Sequence, residues 1–186
     1  MGLQIKKNVY WVFGFVALIW IIELINIFVG HRLCNWGILP RTLNGLKGIP
    51  ISPFLHASIV HALLNTIPFA VLGGFVILRG KRVFFEISII IILVGGTALW
   101  LFGRSSYHVG VSGLIFGYFG YLVFRAWYER SLKSFIVAFV TVFLYGGIIW
   151  GLLPTFTHIS WEGHLFGLLA GILAARLEKS AEAPKI

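Results

Sequence analysis

Aspartate is absent from this 186-residue chain, and its six acidic side chains are all glutamates: Glu23, Glu86, Glu129, Glu162, Glu178 and Glu182. Any mechanism that rests on two intramembrane aspartates sharing one proton is thereby excluded. Cysteine is nearly absent too. Cys34 stands alone, which rules out an internal disulfide framework and a zinc ribbon of paired cysteines, and leaves packing as its plainest role. Charge is scarce, with Asp, Glu, Lys and Arg making up 11% of the residues, against roughly 25% in an ordinary soluble domain. A water-soluble domain of this size needs more polar surface to cover its core, and a disordered chain needs more still. What fills the chain instead is apolar: 59% hydrophobic, 16% aromatic, with a mean hydropathy of +0.94. This is the composition of a membrane protein.

The formal net charge of +9 does not point to nucleic acid, because the basic residues are scattered as short clusters between apolar runs rather than gathered on one soluble face. Crossing about 30 Å of hydrocarbon takes roughly 17 to 25 residues, and six runs qualify, at about 9–29, 54–78, 83–102, 109–125, 133–153 and 159–176. The chain therefore reads as all-α, a polytopic bundle of six transmembrane helices in a single membrane domain spanning residues 1–186. Lys6 and Lys7 precede the first run as in a secretory signal, but the run is too long, carries Glu23 and lacks a small-residue cleavage site, so it reads as a retained span. Glu23 and Asn26 in the first span and Glu86 in the third are expected to face the bundle.

Alternate connections differ in charge. One side receives Lys6, Lys7, Arg79, Lys81, Arg82, Arg125, Arg130, Lys133, Arg176, Lys179 and Lys185, eleven in all, and the other Arg32, Arg41, Lys47 and Arg104, four. The excess places both termini in the cytoplasm, with the second, fourth and sixth spans entering from the outer side. The connection over residues 30–53 is rich in Gly, Pro and apolar residues, and reads as a partly helical loop in the outer interface.

Polar groups inside a membrane are costly, so each is a candidate for function, although some merely pin neighbouring helices. His61 and Asn65, four apart, share one helical face. His56 lies about 140° round from His61 and is expected to point elsewhere. Ser112 sits in Gly110-Val111-Ser112-Gly113, where flanking glycines permit a tight turn and close approach to the hydroxyl, although the same spacing also serves helix packing. His164 is followed by Gly167 and Gly171, a smooth face against which another helix can close. Counted from the expected span ends, Ser112, His164 and His61 lie about three, five and seven residues inside, all roughly 5 to 10 Å below the outer boundary. Helix packing alone gives no reason for that common layer.

A serine and a histidine in hydrogen-bond reach can perform covalent hydrolysis. The usual third carboxylate is missing, since Glu162 lies about 200° round the helix from His164. A Ser-His dyad follows. His61, Asn65 and the Ser112 backbone N–H could donate to an oxyanion, each such donor being worth about 10²- to 10³-fold.

These residues resemble the rhomboid intramembrane serine proteases. The resemblance spans essentially the whole chain and rests on H-x3-N (His61, Asn65), G-x-S-G (Gly110, Ser112, Gly113) and H-x2-G-x3-G (His164, Gly167, Gly171), in that order and membrane sense. It implies that Ser112 is the nucleophile, that His164 is general base and acid, and that His61, Asn65 and the Ser112 amide form the oxyanion hole. It also implies a lateral gate and cap made by the fifth span and the loop before the sixth. Family members often carry Tyr four residues after the serine. Here that position is Phe116, which keeps ring stacking and loses the hydroxyl. A Trp-Arg pair of the first loop is replaced by Pro40-Arg41, so its contacts do not carry over.

The expected activity is cleavage of single-span transmembrane substrates near the outer face, by a multi-pass protein of a bacterial cytoplasmic membrane in contact with lipid. No cofactor, metal or nucleic acid is implied. The alternative is a catalytically inactive rhomboid-like protein that binds membrane clients, a class that typically lacks the dyad. A small transporter would call for repeated halves or charges at the midplane.

Overall fold

The computed structural model describes residues 2–155 and 159–182. Lys185 of the charge count and residues 156–158 of the expected cap lie outside the described residues, as do the side chains of Lys6, Lys7 and Lys179. The helices are α1 (Gly2–Phe28), α2 (Leu43–Ile51), α3 (Ile59–Ile77), α4 (Lys81–Ile90), α5 (Gly96–Phe102), α6 (Ser112–Glu129), α7 (Leu132–Tyr145) and α8 (Trp161–Glu182). A π-turn over Ile91–Gly95 joins α4 and α5 into one rod, and a 3-10 segment, Gly146–Leu152, extends α7.

Among the described residues four helical rods are long and apolar enough to cross a membrane: Asn8–Phe28, Ile59–Ile77, Lys81–Phe102 and Leu132–Leu152. Helices α6 and α8 occupy the fourth and sixth expected spans but fall short of that standard among the described residues. Their glycines and charged ends lower the hydropathy. Helix α6 can carry these because it is wrapped by protein, every residue from Leu114 to Leu122 being buried, whereas α8 keeps Leu169, Leu173 and Leu177 exposed. Around the central α6 pack α8 most extensively, then α7 and α3, with α1 packed against α3. The core is apolar, with Phe69, Leu72, Phe84, Ile115 and Tyr118 in one cluster.

Small residues set how close α6 and α8 come. A Cβ added at Gly167 would fall on the carbonyl of Gly113, and one at Gly171 on the carbonyl of Gly117. Only hydrogen at both positions permits this backbone-to-backbone contact, which holds without any apolar driving force between helices in lipid.

The connection over residues 30–53 is partly helical, with a 3-10 turn at Arg32–Trp36, α2, and a second turn at Ser52–Phe54. Trp36, Leu43 and Leu46 are exposed on it. Arg41 staples it to the end of α5, donating to the carbonyls of Leu101 (3.2 Å) and Gly103 (2.7 Å) and to the Ser105 hydroxyl (2.9 Å).

Glu23 and Asn26 are fully buried against the bundle. Glu86 is not: its side chain is half exposed and pairs with Arg82 one turn away on the first turns of α4, where a surface i,i+4 pair serves it better than burial. At the end of the bundle opposite Ser112, Glu178 of α8 accepts from Tyr121 (2.5 Å) and pairs with Arg79 (3.1 Å) and Arg125. Arg125 also reaches Glu129 (3.0 Å). This charged lock ties the far ends of α3, α6 and α8.

Candidate active site

Ser112 is the first residue of α6, so its N–H has no acceptor within the helix. The chain reaches it through Gly110, whose φ of +116° is a conformation that side-chain-bearing residues rarely adopt. A Cβ there would also lie 2.9 Å from the ring of His61, so Gly110 both turns the chain and admits that imidazole beside the serine. On the opposite wall, Ser160 precedes α8, its hydroxyl accepting from Gly163 N–H (3.3 Å) and its carbonyl from His164 N–H (3.1 Å). His164 thus stands in the first turn of α8. Gly113 faces the Gly163 carbonyl, and Gly167 faces Gly113, which closes the two helix starts on one another.

The outcome is a hydrogen bond between Ser112 Oγ and His164 Nε2 of 3.0 Å. The other ring nitrogen, Nδ1, lies 2.8 Å from the carbonyl of Gly151. A carbonyl only accepts, so Nδ1 carries the proton and Nε2 presents a lone pair to the serine hydroxyl. The place that a carboxylate takes beside the histidine in a triad is held here by a backbone oxygen of the 3-10 segment following α7. Phe116 lies parallel beneath the imidazole, ring centroids 4.2 Å apart and planes 7° from coplanar. Glu162 faces away from His164, its Oε1 3.6 Å from Arg104 Nε.

His61 and Asn65 stand on the first two turns of α3, which Ser58 caps by accepting the His61 N–H (3.1 Å). Asn65 donates one N–H to the His61 carbonyl (3.0 Å), leaving its second N–H as a donor for another group. His56 does not point elsewhere. Because α3 begins only at Ile59, the helical angle between positions 56 and 61 does not apply, and the His56 ring meets that of His61 edge-on at 4.9 Å. Its Nε2 also takes the N–H of Val111, the residue before the serine, at 3.5 Å.

The depths expected from sequence are likewise corrected. Ser112 is the first residue of its helix, His61 the third and His164 the fourth. Extended loops, not helix, lead into α3 and α6, so the apolar runs start before the helices do. The three residues nonetheless come together, because the fold brings these three helix N-termini side by side. A cleft of about 500 Å³, counting its open mouth, runs beside Ser112 and is bounded by Ser52, Leu99, His108, Gly110 and Ser160. Among the described residues no group of three or more His, Cys, Asp or Glu side chains could hold a metal ion.

Sequence spacing did not reveal Gly151, whose contribution is a main-chain oxygen, nor Arg104 and His108, whose ties to Ile159 and Ser160 cross more than fifty residues. The one available signal was an offset: His108 stands four residues before Ser112, as Ser160 stands four before His164.

A rhomboid domain model matches residues 45–180 of the chain. The chain belongs to the rhomboid family. It is 38% identical over 194 aligned positions to an uncharacterized protein of Mycobacterium tuberculosis, covering 96% of this chain and 81% of that one. It is 35% identical over 137 positions to inactive rhomboid protein 2 of Homo sapiens, covering 67% of this chain and 15% of the human protein. A putative rhomboid protein of Acanthamoeba polyphaga mimivirus is 29% identical over 131 positions, which is 66% of this chain and 70% of that one. In this rhomboid chain the match takes in all the residues of the Ser112 cluster, from His56 to Gly171.

Proposed function

We propose that this rhomboid is an intramembrane serine endopeptidase that cuts single-span transmembrane substrates near the outer face of a bacterial cytoplasmic membrane. The observation that carries the reading is the 3.0 Å contact of Ser112 Oγ with His164 Nε2, with the imidazole's Nδ1–H on the Gly151 carbonyl. In this scheme Ser112 Oγ attacks the scissile carbonyl carbon while its proton passes to Nε2. The resulting imidazolium keeps its Nδ1–H on Gly151, and the oxyanion takes hydrogen bonds from the Ser112 N–H, His61 and the second N–H of Asn65. Collapse of the tetrahedral intermediate sends the Nε2 proton to the leaving amine and leaves an ester on Ser112. Water, deprotonated by Nε2, then releases the acid and restores the serine.

Six spans with both termini in the cytoplasm, as the eleven-to-four division of basic residues favours, would put this site near the outer boundary. A substrate helix must unwind there, since helical peptide bonds in lipid are shielded by their own hydrogen bonds. The apolar face of α7, with Phe135, Ile136, Phe139 and Phe143, is exposed, which supports a reading in which this helix faces lipid and forms the gate that admits the substrate.

A second reading, binding of membrane clients without cleavage, draws on the likeness to the human inactive rhomboid. One experiment separates them. Purified protein in liposomes is given a model single-span substrate with a helix-destabilised outer segment, alongside Ser112→Ala and His164→Ala. The protease reading expects product from wild type and a loss of at least about 10³-fold in both variants. Equal product from all three would assign the cleavage to a contaminant, and binding without product would favour the client binder.

A further inference from the structure

His108 lies on the segment between α5 and α6 and is buried, yet the proposed chemistry leaves it without a task. Its backbone is fixed by a two-way bridge to Ile38, N–H to carbonyl in both directions at 3.0 and 2.8 Å. Its Nε2 is 3.0 Å from the carbonyl of Arg104, and its Nδ1 is 2.6 Å from the Ser160 hydroxyl. Since the carbonyl only accepts, Nε2 carries the proton and Nδ1 accepts from Ser160. Ser160 in turn accepts from Gly163 N–H, so its hydroxyl is satisfied on both sides. Burial is the main influence on the imidazole and lowers its pKa. The Arg104 carbonyl and the Glu162 charge oppose that, and the Arg104 charge adds to it.

The His108–Ser160 contact runs alongside the Ser112–His164 contact. Each joins residues 52 apart, and each residue of the first stands four before its counterpart in the second. Arg104 adds a further tie on the same side, donating to the Ile159 carbonyl (2.5 Å) and meeting Glu162. One end of this brace is the loop that feeds α6, and the other is the cap of α8.

We infer that His108, in its Nε2–H form, is a positioning residue that acts through Ser160 to hold the first turn of α8, and so His164, against Ser112. This rests on the protease reading above. Misplacement of reacting groups by about 1 Å costs on the order of 10²-fold, so loss of the brace appears chiefly in kcat, with a smaller effect on KM from the cleft wall that His108 and Ser160 share. Glutamine carries an acceptor oxygen and a donor NH₂ group at its amide and can replace both contacts of the imidazole.

The test is kinetic, with the full chain in liposomes and the model substrate used above, on His108→Ala, His108→Gln, Ser160→Ala and the double Ala variant. His108→Ala and Ser160→Ala should each lower kcat about 10- to 100-fold, with a much smaller change in KM. His108→Gln should stay within about threefold of wild type, and the double variant should be no worse than the poorer single. Wild-type kcat in either Ala variant, a Gln variant as poor as Ala, or losses that multiply in the double variant would each overturn the inference. Should His108→Ala fail to fold, His108→Gln and Ser160→Ala decide together: a Gln variant well below wild type, or a Ser160→Ala variant with wild-type kcat, would overturn the inference. A wild type that neither cleaves nor differs from Ser112→Ala removes the protease reading and this inference with it. That outcome is distinct from active wild type with indifferent His108 and Ser160 variants.

Discussion

Gly167→Ala is the sharpest steric test of how the fold brings the pair together. The new methyl would fall on the Gly113 carbonyl, and a methylene added at Gly113 itself would meet the Gly163 carbonyl at 3.2 Å, so neither helix has slack to absorb it. To restore an ordinary contact of about 3.5 Å, α8 must retreat from α6 by more than about 1 Å. His164 is one turn from Gly167 on the same helix and moves with it. The Ser112–His164 separation, now 3.0 Å, then passes beyond hydrogen-bond range. The expected loss is about 10²-fold in kcat, or roughly 2.7 kcal/mol of barrier, with an overpacking cost of about 1 to 3 kcal/mol in stability. Gly74→Ala is the control, since nothing lies within 4 Å of a Cβ there and the residue sits within α3. Cleavage kinetics and thermal unfolding of both variants in the same detergent form the assay. Gly167→Ala with wild-type kcat would refute the close-packing account, as would an equal loss in Gly74→Ala.

Further outcomes are expected. A Cβ at Gly151 would lie 3.0 Å from Phe116 Cζ and 3.1 Å from His164 Nδ1, so Gly151→Ala should disturb both the stack and the tautomer and lower kcat at least tenfold, roughly, with little change in melting temperature. Arg125→Met leaves Glu178 with fewer partners in a buried setting, which should lower the melting temperature by an amount equivalent to about 3 kcal/mol while fluorophosphonate labelling of Ser112 persists in the folded fraction. His108, with a folded pKa below its ordinary 6.5, stabilises the fold fully above that value and less as pH falls from there through the depressed folded value. Wild type should therefore lose melting temperature more steeply than His108→Gln between pH 7 and pH 5, and parallel curves would contradict the assignment.

Much of the site could be read from spacing because helices make spacing geometric. Asn65 at i+4 from His61, and Gly167 and Gly171 at i+3 and i+7 from His164, lie where the 3.6-residue period puts them. The glycine face closes on Gly113 and Gly117 as a small-x3-small face allows. Where the reasoning failed, the period did not apply: His56 precedes α3, and Ser112 opens α6 instead of lying inside it. Glu86 failed for another reason, since a hydropathy window does not show that Arg82 stands one turn away. Main-chain acceptors such as Gly151 O carry no residue signature at all. The contact of His108 with Ser160 joins two loops whose proximity only the fold of α6 on α8 creates.

The central claim is that Ser112 is activated by His164. Intact-mass analysis after treatment with a serine-reactive fluorophosphonate tests it without any substrate. The account predicts one adduct per chain, located on Ser112, absent from Ser112→Ala and strongly reduced in His164→Ala. Folded wild-type protein that takes no adduct, or a His164→Ala variant that labels as fast as wild type, would contradict it.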